Sequence, residues 1–245
     1  MKKIIRLLVL ICSVAVIIVS CAKKSDTSST STDTSGAGTG MTASGTVTGD
    51  DNLTGIFNTS YFGQEPSGGC IDNSSAITTY LALTAVPSDT LAFKKQMIFT
   101  SSTTFTESLQ YYSDASCATL TGYFNLLYAD VLVGDSLSGL SAGSNPAKPT
   151  TAKKVSYTHP SMNLKSNTDN TTAFFNSTLG SSNLATLGFT QGTELVIPIT
   201  TPESNVNIWE TSAMSGSSKT YLFTGSSAGS TYPTGWTGAS VWWQE

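Results

Sequence analysis

The chain has 245 residues, with 12 basic against 16 acidic side chains, and only 11% of its residues are charged. Arg6 is the only arginine. Because nucleic-acid and phosphate recognition rely on arginine forks and basic surface, this composition argues against a nucleic-acid-binding protein.

The first twenty residues (1–20) have the organisation of an export signal. Three basic residues precede an apolar run over residues 7–19, which is shorter than the roughly 20 residues that a membrane-spanning helix needs. At its end, Ile18-Val19-Ser20-Cys21 resembles a lipobox, in which a cysteine receives diacylglycerol before the signal is cleaved. The resemblance implies a lipid on Cys21, with several acyl chains anchoring the protein to a membrane. An uncleaved anchor helix and an ordinary secretory signal are the alternatives.

Residues 21–52 are predicted to be the lipidated cysteine followed by a disordered linker. From residue 25 to 52 half the positions are Ser or Thr, and none is aromatic. Such a segment cannot bury enough apolar surface to offset its conformational entropy. Asp50 and Asp51 at its end are expected to be solvated. Without the signal, nine basic residues face sixteen acidic ones, a net charge of −7.

The cysteines divide by position. Cys12 lies in the signal and Cys21 takes the lipid, which leaves Cys70 and Cys117 as a pair in an exported, oxidising compartment. We predict that they form a disulfide, which would stabilise the fold by roughly 4 kcal/mol on the chain-entropy model. Two buried free thiols are the alternative.

Residues 53–245 are predicted to form one all-β domain. Charged residues are scarce there, whereas Thr, Ser, Tyr and Phe suit strands. Alternating apolar residues predict a hairpin over residues 91–111, interrupted on its apolar face by Glu107, and a central strand over 123–133. Further strands are predicted over 53–62, 77–86, 154–157, 194–199, 206–210, 220–224 and 240–244. Short strands at this spacing indicate a meander that closes into a barrel or sandwich.

One helix is predicted, with Asp169 as its N-cap and Gly180 as its stop. The Gly-, Ser- and Pro-rich residues 138–151 are predicted to be a surface loop. His159, which precedes a proline, is interpreted as a loop residue. Trp242 and Trp243 are adjacent in a strand and must point to opposite faces.

Three short motifs resemble those of lipocalin-like proteins. Gly55-Ile56-Phe57 is similar to their Gly-x-Trp opening, residues 112–117 to a Tyr-x-Asp-x-x-Cys element, and residues 221–225 to their penultimate strand. The resemblance implies an antiparallel lipocalin-like β-barrel of about eight strands with one short helix, which holds a small apolar ligand. The side chains expected to line it are Phe57, Phe99, Tyr111, Trp209, Tyr221 and Phe223.

Motifs for catalysis or metal binding are not expected to be functional. Ser141 and Ser227 each lie in a Gly-x-Ser-x-Gly sequence, but the only histidine, His159, does not follow either in the order Ser, acid, His. One histidine and two paired cysteines cannot form a transition-metal site, and no calcium-loop motif occurs. No cofactor is expected. Glu107 is interpreted as a strand-edge or barrel-mouth charge, with acid–base chemistry as the alternative.

The sequence therefore predicts a non-enzymatic, membrane-anchored binding module for a small apolar ligand. The alternative is a surface-exposed interaction or structural lipoprotein, whose barrel is filled by its own side chains and whose partner is a protein. Ala22 stands where aspartate marks inner-membrane retention in enteric bacteria. The expected location is the cell envelope, at the outer membrane, on its periplasmic or surface face.

Overall fold

The computed structural model describes residues 35–36, 41–59, 65–72, 74–83, 85–142, 147–213, 217–226 and 230–244. The predicted signal and Cys21 lie outside these residues. The strands are β1 (Ser35–Gly36), β2 (Met41–Thr42), β3 (Ile56–Thr59), β4 (Ala92–Phe99), β5 (Phe105–Tyr112), β6 (Leu120–Ser138), β7 (Thr151–Ser166), β8 (Leu195–Pro198), β9 (Ser204–Ala213), β10 (Thr220–Thr224) and β11 (Ser240–Gln244). The α-helices are α1 (Ser74–Ala82), α2 (Asp169–Leu179) and α3 (Ser181–Thr186).

Eight strands close into a ring in which all neighbours are antiparallel. Their order is β3-β4-β5-β6-β7-β9-β10-β11, and β11 pairs back onto β3. β8 pairs with residues 161–164 of β7, and β9 pairs with residues 153–158 along the same edge. The two are therefore parts of one course of chain, interrupted at residues 199–203. The predicted all-β, barrel-like fold is confirmed.

The inner face of the ring is identified by contacts between distant strands. The Trp209 ring of β9 lies 6.3 Å from that of Phe99 in β4 and 5.1 Å from that of Phe105 in β5, measured between centroids. These rings belong to a buried group, here called the aromatic cluster: Val47, Leu53, Phe57, Met97, Phe99, Phe105, Val131, Val155, Tyr157, Trp209, Leu222 and Trp242. Trp243 instead packs in a separate cluster with Tyr221 and Phe223. Trp242 and Trp243 thus lie on opposite faces, as predicted.

Helices pack against the inward-facing residues at the other end of the long strands. A second buried group, here called the helix cluster, joins α2 and α3 to β5, β6 and β7: Val86, Tyr111, Phe124, Leu126, Met162, Leu164, Phe175, Leu179 and Leu184. Gly122 allows the close approach of α2, since a Cβ there would lie 2.5 Å from Thr171 Cγ2. Most of the inner face is thus divided between these two clusters, and Phe93 packs in a smaller third one.

The prediction of a strand over residues 77–86 is wrong. Residues 74–82 form helix α1. Ile77, Tyr80 and Leu81 have the i, i+3, i+4 spacing of one helical face and pack together against Phe93. The Tyr80 and Phe93 rings meet edge to face at 5.3 Å. Burial of this face outweighs the β-propensity of the branched residues in the segment.

Two other local predictions differ from the structure. Helix α2 begins as predicted, but its N-cap is Thr168, whose hydroxyl oxygen accepts a hydrogen bond from the Thr171 N–H at 3.2 Å. Asp169 lies in the first turn and Gly180 ends the helix. His159 is not in a loop but within β7, where the pairing with β6 is irregular.

The packed structure begins before the predicted boundary at residue 53. Val47 is 1% exposed in the aromatic cluster, and its N–H donates to the Leu53 carbonyl. Asp50, expected to be solvated, is buried, and its carboxylate lies 2.9 Å from the Lys153 ammonium. Residues 45–53 therefore belong to the folded domain rather than to a disordered linker.

Cys70 and Cys117 lie at disulfide distance, with 5.9 Å between their Cα atoms. Cys117 has a positive φ of 53°, which is unusual for a residue with a side chain. The Asp114 carboxylate holds this loop by accepting hydrogen bonds from Ser116, Ala118 and Thr119. These hydrogen bonds keep the pKa of Asp114 well below its ordinary value.

Candidate functional site

Two charged side chains lie on the inner face of the barrel, at the boundary of its two clusters. Glu107 of β5 is paired with Met97 of the aromatic cluster on one side and with Leu126 of the helix cluster on the other. Lys95 of β4 is paired with Leu109. Because alternate residues share a face, Lys95 is the diagonal neighbour of Glu107 on the inner wall.

Solvent reaches the wall at these positions. Lys95, Glu107 and Leu109 are each partly exposed. Their inward-facing neighbours along the same two strands are buried: Phe93, Met97, Phe105 and Tyr111. An inward-facing side chain is exposed only where the interior is open. We call the region defined by Lys95, Glu107 and Leu109 the charged opening.

Neither charge of the opening is neutralised by direct contact. Lys95 Nζ lies 5.1 Å from the centroid of the Trp242 ring, in a cation–π arrangement. Within the described part of the chain, neither the Lys95 nor the Glu107 side chain forms a hydrogen bond or salt bridge. Burial raises the pKa of Glu107 above its ordinary value of 4.5, and the positive charge of Lys95 opposes that shift.

Aromatic rings extend from the opening along β5, β6 and β7. The Phe105 ring stacks on Tyr128 at 4.4 Å, and Tyr128 lies 5.0 Å from His159. Burial lowers the pKa of His159 to about 4, although an interaction with the Ser161 backbone opposes that shift. His159 is therefore neutral at physiological pH. Its Nε2 atom is buried and has no hydrogen-bond partner among the residues that the structure describes.

The six residues predicted to line a ligand are not brought together. Phe57, Phe99 and Trp209 lie in the aromatic cluster, where they pack on one another, and Tyr111 lies in the helix cluster. Tyr221 and Phe223 pack with Trp243 and Trp236 on the outer face. The Tyr221 hydroxyl donates to the Glu65 carboxylate at 3.0 Å.

A separate cavity of about 400 Å³ lies outside the barrel. Lys154 Nζ stands 5.4 Å from the Tyr232 ring centroid at this place. The lining residues are Leu137, Ser138, Leu140, Lys154, Thr231, Tyr232, Pro233 and Thr234. Since it shares no lining residue with the charged opening, it offers an internal comparison for binding experiments.

The motifs considered for catalysis and metal binding are not assembled into a site in the described residues. Ser141 follows β6 in an exposed stretch without regular structure, and Ser227 lies outside the described residues. His159 belongs to β7. Among the residues described, no group of three or more His, Cys, Asp or Glu side chains could hold a metal ion. Likewise, none of the described helices is long and apolar enough to cross a membrane.

The sequence signals a part of this site. Glu107 stands out as a charge on an apolar face, and the structure places it on the inner wall. Lys95 interrupts the apolar alternation of the preceding strand in the same way. The sequence pattern therefore indicates both Lys95 and Glu107 as charges on an apolar face. His159 carries no such signal, since a residue before a proline is typical of a turn or loop, whereas the structure continues β7 through both residues.

Comparison with known proteins adds no family to this geometry. The sequence matches no model of a protein family, and no curated protein is significantly similar to it.

Proposed function

We propose that this protein is a lipid-anchored binding module of the cell envelope that holds a small, largely apolar ligand inside its barrel without converting it chemically. The observation that carries the proposal is the charged opening: an open stretch of inner wall between two filled clusters. Apolar sites with a few placed polar groups are the usual form of small-ligand sites.

The anchoring part of the proposal is supported by the sequence. The lipobox-like segment ending at Cys21 supports lipidation, and Ala22 supports sorting to the outer membrane. The Ser- and Thr-rich residues that follow suit a spacer between the lipid and the barrel. A lipocalin-like relationship, suggested by the motif at Gly55-Ile56-Phe57, would fit a ligand-holding barrel.

Apolar side chains that such a ligand could cover are present around the helix cluster, on which the opening borders. Several hydrophobic side chains around the helix cluster are only partly buried. They include Leu109, Tyr128, Leu195, Ile197 and Ile199. A ligand that covered them would remove apolar surface from water, which contributes about 25 cal/mol for each Å² buried.

A second candidate is an interaction or structural lipoprotein with no ligand. The packing of the aromatic cluster favours this second candidate. The centroid of the Phe105 ring lies within 5.3 Å of the ring centroids of Tyr128, Tyr157 and Trp209. At that end the interior is occupied by the protein's own rings. Inside the barrel, the two candidates differ only in whether its middle is open to a ligand or filled by side chains.

Native mass spectrometry tests the proposal. The full exported chain, carrying Cys21→Ser behind a cleavable secretory signal in place of residues 1–20, is purified from its source cells and weighed before and after denaturation. We expect an extra mass that denaturation releases and organic solvent extracts. Leu109→Trp, which fills the opening with a larger apolar ring, should abolish that mass, whereas Val196→Trp at an exposed position of β8 should not.

A bare mass from wild-type protein, with no shift after incubation with apolar compounds, would contradict ligand binding. The filled-barrel candidate would then stand, and the search would turn to protein partners.

A further inference from the structure

We infer that the ligand of the charged opening is a zwitterion on an apolar body, of the chemical class of a free apolar amino acid, with its ammonium at Glu107 and its carboxylate at Lys95. This inference rests on the proposed function and adds the class of ligand to it.

The first step is that the two charges are close but separate. Their strand register makes Lys95 and Glu107 diagonal neighbours on one wall. Nevertheless the Lys95 ammonium is directed to the Trp242 ring, and no salt bridge joins it to Glu107. Diagonal positions of a sheet lie within reach of long side chains, so one small group placed between the two side chains would reach both.

The second step is that neither charged group has a hydrogen-bond or ion-pair partner among the described residues. A charge removed from water is costly unless it is paired and hydrogen-bonded. At Glu107 this cost is visible in the raised pKa of its carboxyl group. A group that binds both side chains at once would replace the missing hydrogen bonds of each.

The third step selects the class of ligand by charge. A ligand with only an ammonium would meet Glu107 but place its charge beside Lys95, and a ligand with only a carboxylate would have the opposite conflict. The ammonium and carboxylate of an α-amino acid are attached to one carbon, so both can be satisfied between two side chains that do not touch. The apolar side chain of the ligand would then lie against the partly buried Leu109 and Tyr128.

The test uses three probes that share one apolar body: phenylalanine, phenethylamine without the carboxylate, and 3-phenylpropanoate without the ammonium. Binding to the full exported chain carrying Cys21→Ser is measured by isothermal titration calorimetry at pH 7. We expect phenylalanine to bind at least about tenfold more tightly than either analogue, since each analogue loses one charged hydrogen-bonded pair.

Two variants assign the charges. Lys95→Met should weaken the binding of phenylalanine about tenfold, and it should not weaken the binding of phenethylamine. Glu107→Gln should weaken the binding of phenylalanine to a similar degree, and it should not weaken the binding of 3-phenylpropanoate. Lys154→Gln, which changes the lysine of the outer cavity, should leave all three affinities unchanged. Urea unfolding of each variant separates a loss of binding from a loss of fold.

Equal affinities for the three probes, or affinities insensitive to both substitutions, would overturn the zwitterion. Failure of all three probes to bind would overturn it too. In each case a copurified ligand of another class, lost in Leu109→Trp, would leave the proposed function standing. A bare wild-type mass that does not shift after incubation with apolar compounds, together with no binding of the three probes, would overturn both.

Discussion

Glu107 shows how one carboxyl group on an apolar wall affects stability. Its pKa is raised in the folded protein because burial penalises the charged form more than Lys95 favours it. The folded state therefore holds the proton more tightly than the unfolded state, whose pKa is near the ordinary 4.5. Stability from this residue is present below pH 4.5 and is lost as the pH rises through the folded pKa.

We predict that Glu107→Gln raises the free energy of unfolding by about 1 kcal/mol at pH 8, because it removes the buried charge and keeps the shape of the side chain. The gain should shrink as the pH falls and disappear below pH 4.5, where Glu107 becomes protonated in both states. Urea unfolding of wild type and variant at a series of pH values measures it. A gain that does not change with pH, or a loss of stability at pH 8, would contradict the assignment.

His159 acts in the opposite direction. Its folded pKa of about 4 lies below the ordinary 6.5, so the unfolded state takes up a proton first as the pH falls. Stability from the neutral imidazole is complete above pH 6.5 and declines as the pH falls toward 4, by at most about 3 kcal/mol.

We predict that His159→Gln removes this decline. The difference in unfolding free energy between wild type and variant should change steadily between pH 6.5 and pH 4 and be constant above pH 7. Taking the difference cancels the opposite contribution of Glu107. A difference that is flat across the whole range would mean that His159 titrates normally in the folded protein.

At the scale of elements, the segment before β3 is part of the domain. Val47 fills the aromatic cluster, and the buried Asp50 pairs with Lys153 at 2.9 Å. We predict that a chain starting at residue 53 is less stable than one starting at residue 41 by about 3 kcal/mol or more, because it loses a core side chain and leaves Lys153 without its partner. Thermal and urea unfolding of the two chains measure the difference. Equal stabilities would show that residues 41–52 contribute nothing to the fold.

The disulfide joins the segment before α1 to the loop between β5 and β6. Its loop closure spans 47 positions, so the chain-entropy model gives a stabilisation of up to about 4 kcal/mol. We predict that the double variant Cys70→Ser, Cys117→Ser unfolds at lower urea concentration by an amount within that limit. Wild type under reducing conditions should behave like the variant. An unchanged midpoint in both would argue that the bridge is absent in solution.

Elements with regular alternation and local stop signals could be predicted from the sequence. The hairpin of β4 and β5 and the end of α2 at Gly180 follow from such local patterns. Helix α1 is predicted as a strand because its branched residues favour strands; its helical signal, the i, i+3, i+4 spacing of Ile77, Tyr80 and Leu81, matches the face that packs against Phe93. The sequence of the Glu194–Ile199 region likewise predicts a strand. It does not predict that β8 and β9 pair with the same edge of β7.

The candidate site likewise has a part that the local sequence pattern predicts and a part that depends on how the ring closes. Glu107 could be identified from the sequence, since a charge on an apolar face is visible in the alternation. The separation of Phe57 and Trp209 from Tyr221 and Phe223 could not be, because inward and outward faces are defined only when the ring closes. The aromatic content of the chain indicated a cavity lining; much of it is core.

In the whole molecule, the two clusters stabilise the fold, whereas the opening between them is the proposed binding site. The aromatic cluster and the helix cluster fill the two ends of the ring with buried apolar side chains, and the charged form of Glu107 between them reduces stability. Retention of destabilising groups at a binding site is a common exchange of stability for function. In this account the variant Glu107→Gln is more stable and binds its ligand more weakly.

The most direct measurement of this account is an experimental structure of the full exported chain, purified with whatever it carries from its source cells. We predict electron density that belongs to no protein atom, lying against Lys95, Glu107 and Leu109 and within hydrogen-bond distance of both charged groups. A middle of the barrel closed by side chains, with Lys95 paired directly to Glu107, would contradict it.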